Sequence, residues 1–151
     1  MSTATLAPAT AADETTILAV VANLCQALLY KNVAKFAAQF APNAAIFNLA
    51  PPLIHHGVDK QEKQAWFDSW STPLDLEPRD FQVTVSEDLA FCHGYLRLSG
   101  TKKGPEGSVS FWMRETLCLA RQASGWQIVH EHTSVPFYMD GTLRPAFDLQ
   151  P

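Results

Sequence analysis

The spacing of apolar residues changes once along the chain, and that change limits the folds open to it. Over residues 13–29, Ile17, Val20, Val21, Leu24, Ala27 and Leu28 recur at three- and four-residue intervals, the stripe of an amphipathic helix. From about Glu77 the period falls to two. Phe81, Val83 and Val85 alternate with Gln82, Thr84 and Ser86, as on a strand with one covered face. Residues 89–99, 108–121 and 126–135 continue as three further strands. The links between them, Ser86-Glu87-Asp88, residues 103–107 and Ala123-Ser124-Gly125, are short and turn-rich, so consecutive strands are expected to form antiparallel hairpins. Helices first and strands afterwards define an α+β domain with its helices on one sheet face.

The region between these two patterns holds shorter elements. Asn32 is placed to cap a second helix over residues 33–40, which Ala41-Pro42-Asn43 ends because proline cannot continue a helix. Residues 44–49 form an apolar run that reads as a buried strand, stopped by Pro51-Pro52. After a loop at His55-His56-Gly57, residues 58–70 form a third helix with Trp66 and Trp70 one turn apart. Ser71-Thr72-Pro73 closes it. Residues 1–12, rich in Ala, Thr and Pro, are expected to be a flexible lead. Residues 13–137 form the domain, and 138–151 a tail without a clear period.

Charge and composition exclude several function classes. The chain has 151 residues, enough for one domain, and 11 basic against 15 acidic side chains, a net charge of −4 with no basic run. Nucleic acid and anionic membrane surfaces are therefore not expected partners. No stretch approaches the ~20 apolar residues that cross a bilayer. The first 16 residues carry no Lys or Arg but do carry Asp13 and Glu14, unlike a secretory signal, so a cytoplasmic address is expected. Cys25, Cys92 and Cys118 are odd in number and widely spaced within apolar patterns. They read as small core residues in a reducing compartment and not as a disulfide or zinc framework. No Gly-rich phosphate loop, nucleophile elbow or dinucleotide fingerprint is present, and no cofactor is expected.

Three segments resemble the nuclear transport factor 2-like superfamily, and within it the SnoaL-like and ketosteroid-isomerase-like members. KNVAKFAAQFAPNAAIFNLAPPL is similar to the segment in which a second helix turns into the first strand. HHGVDKQEKQAWFDSW is similar to the loop entering the third helix, and SGWQIVHEHTSVPF to the last strand, which also resembles that of the association domain of calcium/calmodulin-dependent kinase. The resemblance spans residues 13–137. It implies a cone-shaped fold in which three N-terminal helices pack on a curved antiparallel sheet around one small-molecule pocket. It also implies a homodimer, and two sheet faces that are both too apolar for water point the same way. The fold hosts many activities, so it does not name one. Ketosteroid isomerases carry a carboxylate base on the first strand; that position falls on Asn48, and their oxyanion tyrosine falls near Leu24. Neither residue can do that chemistry, which argues against a steroid isomerase.

The densest polar cluster is His130-Glu131-His132-Thr133-Ser134 on the last strand. Strict alternation sets His130, His132 and Ser134 on one face with Trp126 and Ile128, and Glu131 and Thr133 on the other. On the preceding strand Trp112, Arg114, Thr116 and Cys118 share a face. If those faces coincide, Arg114 and His132 converge on a ligand oxygen, with His132 as base and Arg114 and Asn48 as orienting groups. Trp66, Trp70, Trp112, Tyr95, His130 and Phe47 would then line the pocket. Arg114 has a plainer alternative as the partner of Glu115, Glu131 or a second subunit. His130 and His132 together with His55 and His56 invite a metal reading, but spacing specifies no third ligand and no metal is expected. Two functions follow: proton transfer (isomerisation, dehydration or cyclisation) on a small apolar carbonyl or hydroxyl compound, or a non-catalytic binding or dimerisation module.

Overall fold

Thr10 starts the first helix. Its hydroxyl accepts the Asp13 N–H at 3.1 Å, satisfying one of the free donors of the first turn, and α1 (Ala11–Leu29) follows. The computed structural model describes residues 10–151. The helix and its cap thus take up 10–12, while the rest of the expected flexible lead lies outside the described residues. The six apolar positions of the sequence stripe are the six that α1 buries. With 19 residues and a mean hydropathy of 1.2, α1 has the length and composition of a membrane span, more than its sequence pattern suggested. Here its stripe packs into the core.

The Asn32 side chain accepts the Lys35 N–H at 2.9 Å and caps α2 (Val33–Ala37). This helix stops short of residue 40 because Phe40 already pairs with Ile128 in β1 (Phe40–Phe47). Pro42, which has no N–H to give a ladder, sits in the irregular stretch between Phe40 and Ala45. His55-His56 is not a loop, as the sequence suggested, but a short strand β2 (His55–His56) antiparallel to β1. Asp59 then caps α3 (Lys60–Asp68), accepting from the Gln61 and Glu62 N–H groups at 2.9 and 3.0 Å.

The four long strands are β3 (Asp75–Ser86), β4 (Leu89–Thr101), β5 (Ser108–Gln122) and β6 (Gly125–Ser134). They form the antiparallel meander that alternation predicted. The last strand then lies parallel to the first, so the sheet is mixed, in the order β2-β1-β6-β5-β4-β3. Curvature gives it one concave face, and all three helices cover that face. Phe67, Leu74, Cys92, Leu117, Leu119 and Ile128 lie almost wholly out of water there. Burial pushes the Cys92 thiol up to about 12 and the Cys25 thiol up to about 11, values of inert packing groups. The final segment folds back so that Ala146 is buried and Phe147 packs on Phe111 with ring centroids 4.4 Å apart.

One irregularity decides which side chains face inward. Along β5 and β6, Cys118 pairs with His130 but the next residue, Leu119, pairs with Ile128. Val129 is therefore an extra residue, a β-bulge. Trp126 and Ile128 are buried in the core. Past the bulge the phase shifts by one, so Glu131 and Thr133 face inward and His130 and His132 outward.

Gly57 joins β2 to α3. Its N–H donates to the Ala44 carbonyl at 2.8 Å, its φ is +75°, and a Cβ there would lie 2.2 Å from the Pro42 carbonyl oxygen. A left-handed backbone already costs an L-residue about 1–2 kcal/mol, and the clash is with main chain, which cannot swing away. Gly57→Ala is expected to destabilise the fold by at least about 2 kcal/mol, seen as a lower urea midpoint with an unchanged slope. A midpoint equal to that of the wild type would show that this junction is not constrained.

Candidate functional site

A cavity of about 370 Å³ lies between the concave sheet face and the helices, near the lower end of the roughly 300–1,000 Å³ usual for small-molecule sites. The sheet contributes Leu96, Leu98, Phe111 and Met113, and the helices Leu24, Leu28, Phe36 and Trp66. Against this apolar lining stand a few polar groups: Glu115, Glu131, Lys63, Asn48, Thr133 and His55.

Glu115 and Glu131 are the buried charged residues of the described chain, 2% and 8% exposed. Register brings them together. Glu115 pairs with Thr133 and Glu131 with Leu117, so the two acids are diagonal neighbours on one face of adjacent strands, within side-chain reach. Each carboxyl alters the proton affinity of the other, and Glu115 Oε2 is buried with no hydrogen-bond partner among the described residues. Burial, and then the charge of Glu131, hold the Glu115 carboxyl well above the ordinary carboxylate range. Burial raises Glu131 too, opposed by the neighbouring Glu115 carboxyl and by the charges of Lys63 and His130. Two carboxylates this close in an apolar site cannot both ionise cheaply. One proton shared by the pair removes that conflict, and Glu115, the more strongly raised of the two, is the acid expected to keep it.

Lys63 reaches the cavity from α3. Its ammonium lies 4.2 Å from the centre of the Phe36 ring and 4.8 Å from that of Trp66, and burial lowers its pKa. Trp66 and Trp70 meet edge to face at 5.8 Å, and both line the cavity. At the rim, His55 Nδ1 lies 3.6 Å from the Glu62 carboxylate.

Of the residues expected at the site, the fold brings Asn48, Trp66 and Trp70 to the cavity. The other six are on the opposite face of the sheet. Arg114 is exposed, and its Nε donates to Ser134 Oγ at 3.0 Å. His132 is exposed beside Phe47, ring centres 5.4 Å apart. The Nδ1–H of His130 donates to the Ala45 carbonyl at 2.7 Å, and its ring meets Phe47 edge-on. Trp112 lies under Arg79, 4.4 Å from the guanidinium, and Tyr95 is paired across the ladders with Arg114 and Arg79. The Val129 bulge turns His132 and Ser134 to the same face as Arg114, but that face points away from the cavity, so the expected convergence of Arg114 and His132 on a cavity ligand is overturned. His55 is on the cavity side while His130 and His132 are not, so these histidines do not gather, and no cluster of three metal-ligating side chains exists among the described residues.

Glu115, Glu131 and Lys63 were not anticipated. For Glu115 a signal was present: it is in phase with Phe111, Met113, Leu117 and Leu119, a carboxyl at the centre of an otherwise apolar face. For Lys63 the signal was its helical spacing from Trp66 and Phe67.

Comparison with known proteins agrees with this architecture. The SnoaL-like domain family matches residues 17–138. No curated protein sequence matches the chain. Among solved structures, a nuclear transport factor 2-like protein of unknown function from Pseudomonas putida KT2440 is 26% identical, with a TM-score of 0.82 over 96% of this chain and 100% of its own. A candidate ketosteroid isomerase from Shewanella frigidimarina NCIMB 400 is 25% identical, with a TM-score of 0.62 over 77% of this chain and 92% of its own. A candidate dehydratase from Streptomyces avermitilis, 12% identical, shares the fold with a TM-score of 0.72 over 83% of this chain and 97% of its own. The family match extends over most of the chain and the fold agrees throughout: this protein belongs to the SnoaL-like domain family of the nuclear transport factor 2-like superfamily.

Proposed function

We propose that the cavity is the acid–base site of an enzyme that moves a proton on a small apolar carbonyl or hydroxyl compound without a cofactor. The observation that carries this reading is the buried Glu115–Glu131 pair, two carboxyls side by side on adjacent strands at an apolar cavity wall. Two carboxyls with separated proton affinities divide the work of base and acid. Glu131, ionised and short of water, takes a proton from carbon next to a carbonyl, and the C–H electron pair moves into an enolate. The proton on Glu115 is then available to another carbon, completing an isomerisation, or to a departing hydroxyl, completing a dehydration. Asn48 orients the substrate oxygen through its amide, and Trp66 and Trp70 hold the apolar body. The names of the Shewanella and Streptomyces proteins, an isomerase and a dehydratase, fit this class of reaction.

Deuterium exchange tests the base directly. In D2O, 1-indanone and 2-tetralone are expected to gain deuterium beside the carbonyl faster with the protein than without it, followed by proton NMR. Glu131→Gln should lower that catalysed exchange by at least about 100-fold, the usual scale of a positioned base. Wild-type exchange no faster than buffer across a panel of such ketones would leave the cavity as a non-catalytic binding site.

The shared proton also predicts how stability depends on pH. Glu115 binds its proton more tightly in the folded chain than in the unfolded one. Its contribution is therefore complete below the ordinary carboxylate range and is lost as pH rises through its raised folded pKa. Urea midpoints are expected to fall as pH rises above the ordinary carboxylate range, and Glu115→Gln, which cannot ionise, should flatten that decline. An equal decline in wild type and variant would mean that the pair does not hold the proton.

A further inference from the structure

Lys63 is a cation without a polar partner in the fold. Its side chain is half-buried, yet it has no ion pair within 4.0 Å and no hydrogen bond among the described residues. The faces of Phe36 and Trp66 approach its ammonium, and Glu131 and Glu62 act on it through space. An ammonium carries three N–H donors, and taking one out of water without an acceptor is costly. Aromatic faces offset part of that cost but accept no conventional hydrogen bond. Lys63 also lines the same cavity as the carboxyl pair.

We infer that Lys63 is the oxyanion-binding residue of the cavity, and that the ligand is a small apolar molecule with one weakly acidic oxygen, an enol, an enolisable ketone or a phenol. The ligand oxygen accepts a hydrogen bond from the Lys63 ammonium while its apolar body lies along Trp66, Leu96 and Leu98. This rests on the acid–base reading above and supplies what that reading needs, a fixed positive charge where negative charge develops.

The other charges around the cavity select between kinds of anion. Glu131 lies on the inner wall, Asp59 and Glu62 stand at the rim, and Lys102 and His55 are the remaining basic groups of the lining. A molecule that is already an anion in water, such as a carboxylate, has to pass the rim acids and approach Glu131 with its full charge. A phenol or ketone enters neutral and acquires charge only beside Lys63. When the oxygen ionises inside, the charge forms in a low-dielectric site next to a cation, which lowers the pKa of the bound oxygen acid.

4-Nitrophenol is a suitable probe because phenol and phenolate absorb at different wavelengths. Titrated into the wild-type protein below the free pKa of the probe, it is expected to bind as phenolate, with its apparent pKa lowered by about one unit or more, a factor of about ten in the ionised fraction. Lys63→Met keeps the aliphatic stem against Phe36 and Trp66, so it should still bind the neutral phenol but lose the phenolate band. Lys63→Arg should retain the band. Glu131→Gln should strengthen it, because that substitution removes a negative charge that opposes an anion in the same cavity and leaves the oxyanion partner in place. A failure of the acid–base reading therefore shows in ketone exchange alone. The inference is overturned if the wild type binds the probe only as neutral phenol, if it binds no phenol, or if the phenolate band of Lys63→Met equals that of the wild type.

Discussion

The juxtaposition of the buried Glu115 and Glu131 carboxyls sets the terms on which this cavity can exist. Each carboxyl is nearly closed off from water, and a lone carboxylate in such a place would be neutralised by protonation. Side by side, the two acids resolve the problem together. One proton between them leaves a single charge on the pair. The Glu131 charge then needs a counter-charge, which Lys63 supplies through space from the opposite wall. Lys63 can do so only because the Asp59 cap fixes where α3 begins and the left-handed turn at Gly57 directs the chain into it. The polar groups of the cavity are thus coupled, although they come from a helix and two strands.

The sheet makes this arrangement possible by being irregular at one position. Had β6 run without its bulge, the side that buries Trp126 and Ile128 would also have carried His130 and His132, and Glu131 would have pointed outward. The extra residue at Val129 lets the first half of the strand serve the core and the second half place a carboxyl opposite Glu115. The parallel pairing of β1 along the same stretch fixes the outward histidines in turn, since the His130 ring bonds to the Ala45 carbonyl. Curvature keeps helix and sheet apart where the cavity lies, while Phe67, Leu74 and Leu119 close the core elsewhere.

The helical stripe of α1 and the alternation of the four long strands could be read directly, because both patterns are local and each residue reports its own environment. The hairpin order followed from turn-rich links of a few residues. What could not be read depended on partners far away in sequence. The two-residue strand at His55-His56 exists only because β1 offers it an edge, and the parallel join of β1 to β6 needs the whole meander to fold back first. The site followed the same division. Asn48, Trp66 and Trp70 were placed by local pattern and do reach the cavity. His132, His130 and Arg114 were placed by counting in twos, and the count failed for β6 at a bulge that no residue type at Val129 announces. Glu115 was in phase with the apolar face of its strand, but acids are rarely buried, and it was passed over in favour of the histidines.

The two faces of the sheet are not electrically independent. His130 projects away from the cavity while its sequence neighbour Glu131 projects into it, and positive charge on His130 favours the ionised form of Glu131. Lys63 acts on the same carboxylate from inside. The base strength of Glu131 is therefore set by its burial, which raises it, against the neighbouring Glu115 carboxyl and the Lys63 charge, which lower it. In a chain with few charges on its inner surface, each counts for more than it would in water. A cavity of mostly apolar walls can in this way hold a defined protonation state without a metal or a chain of polar residues around it.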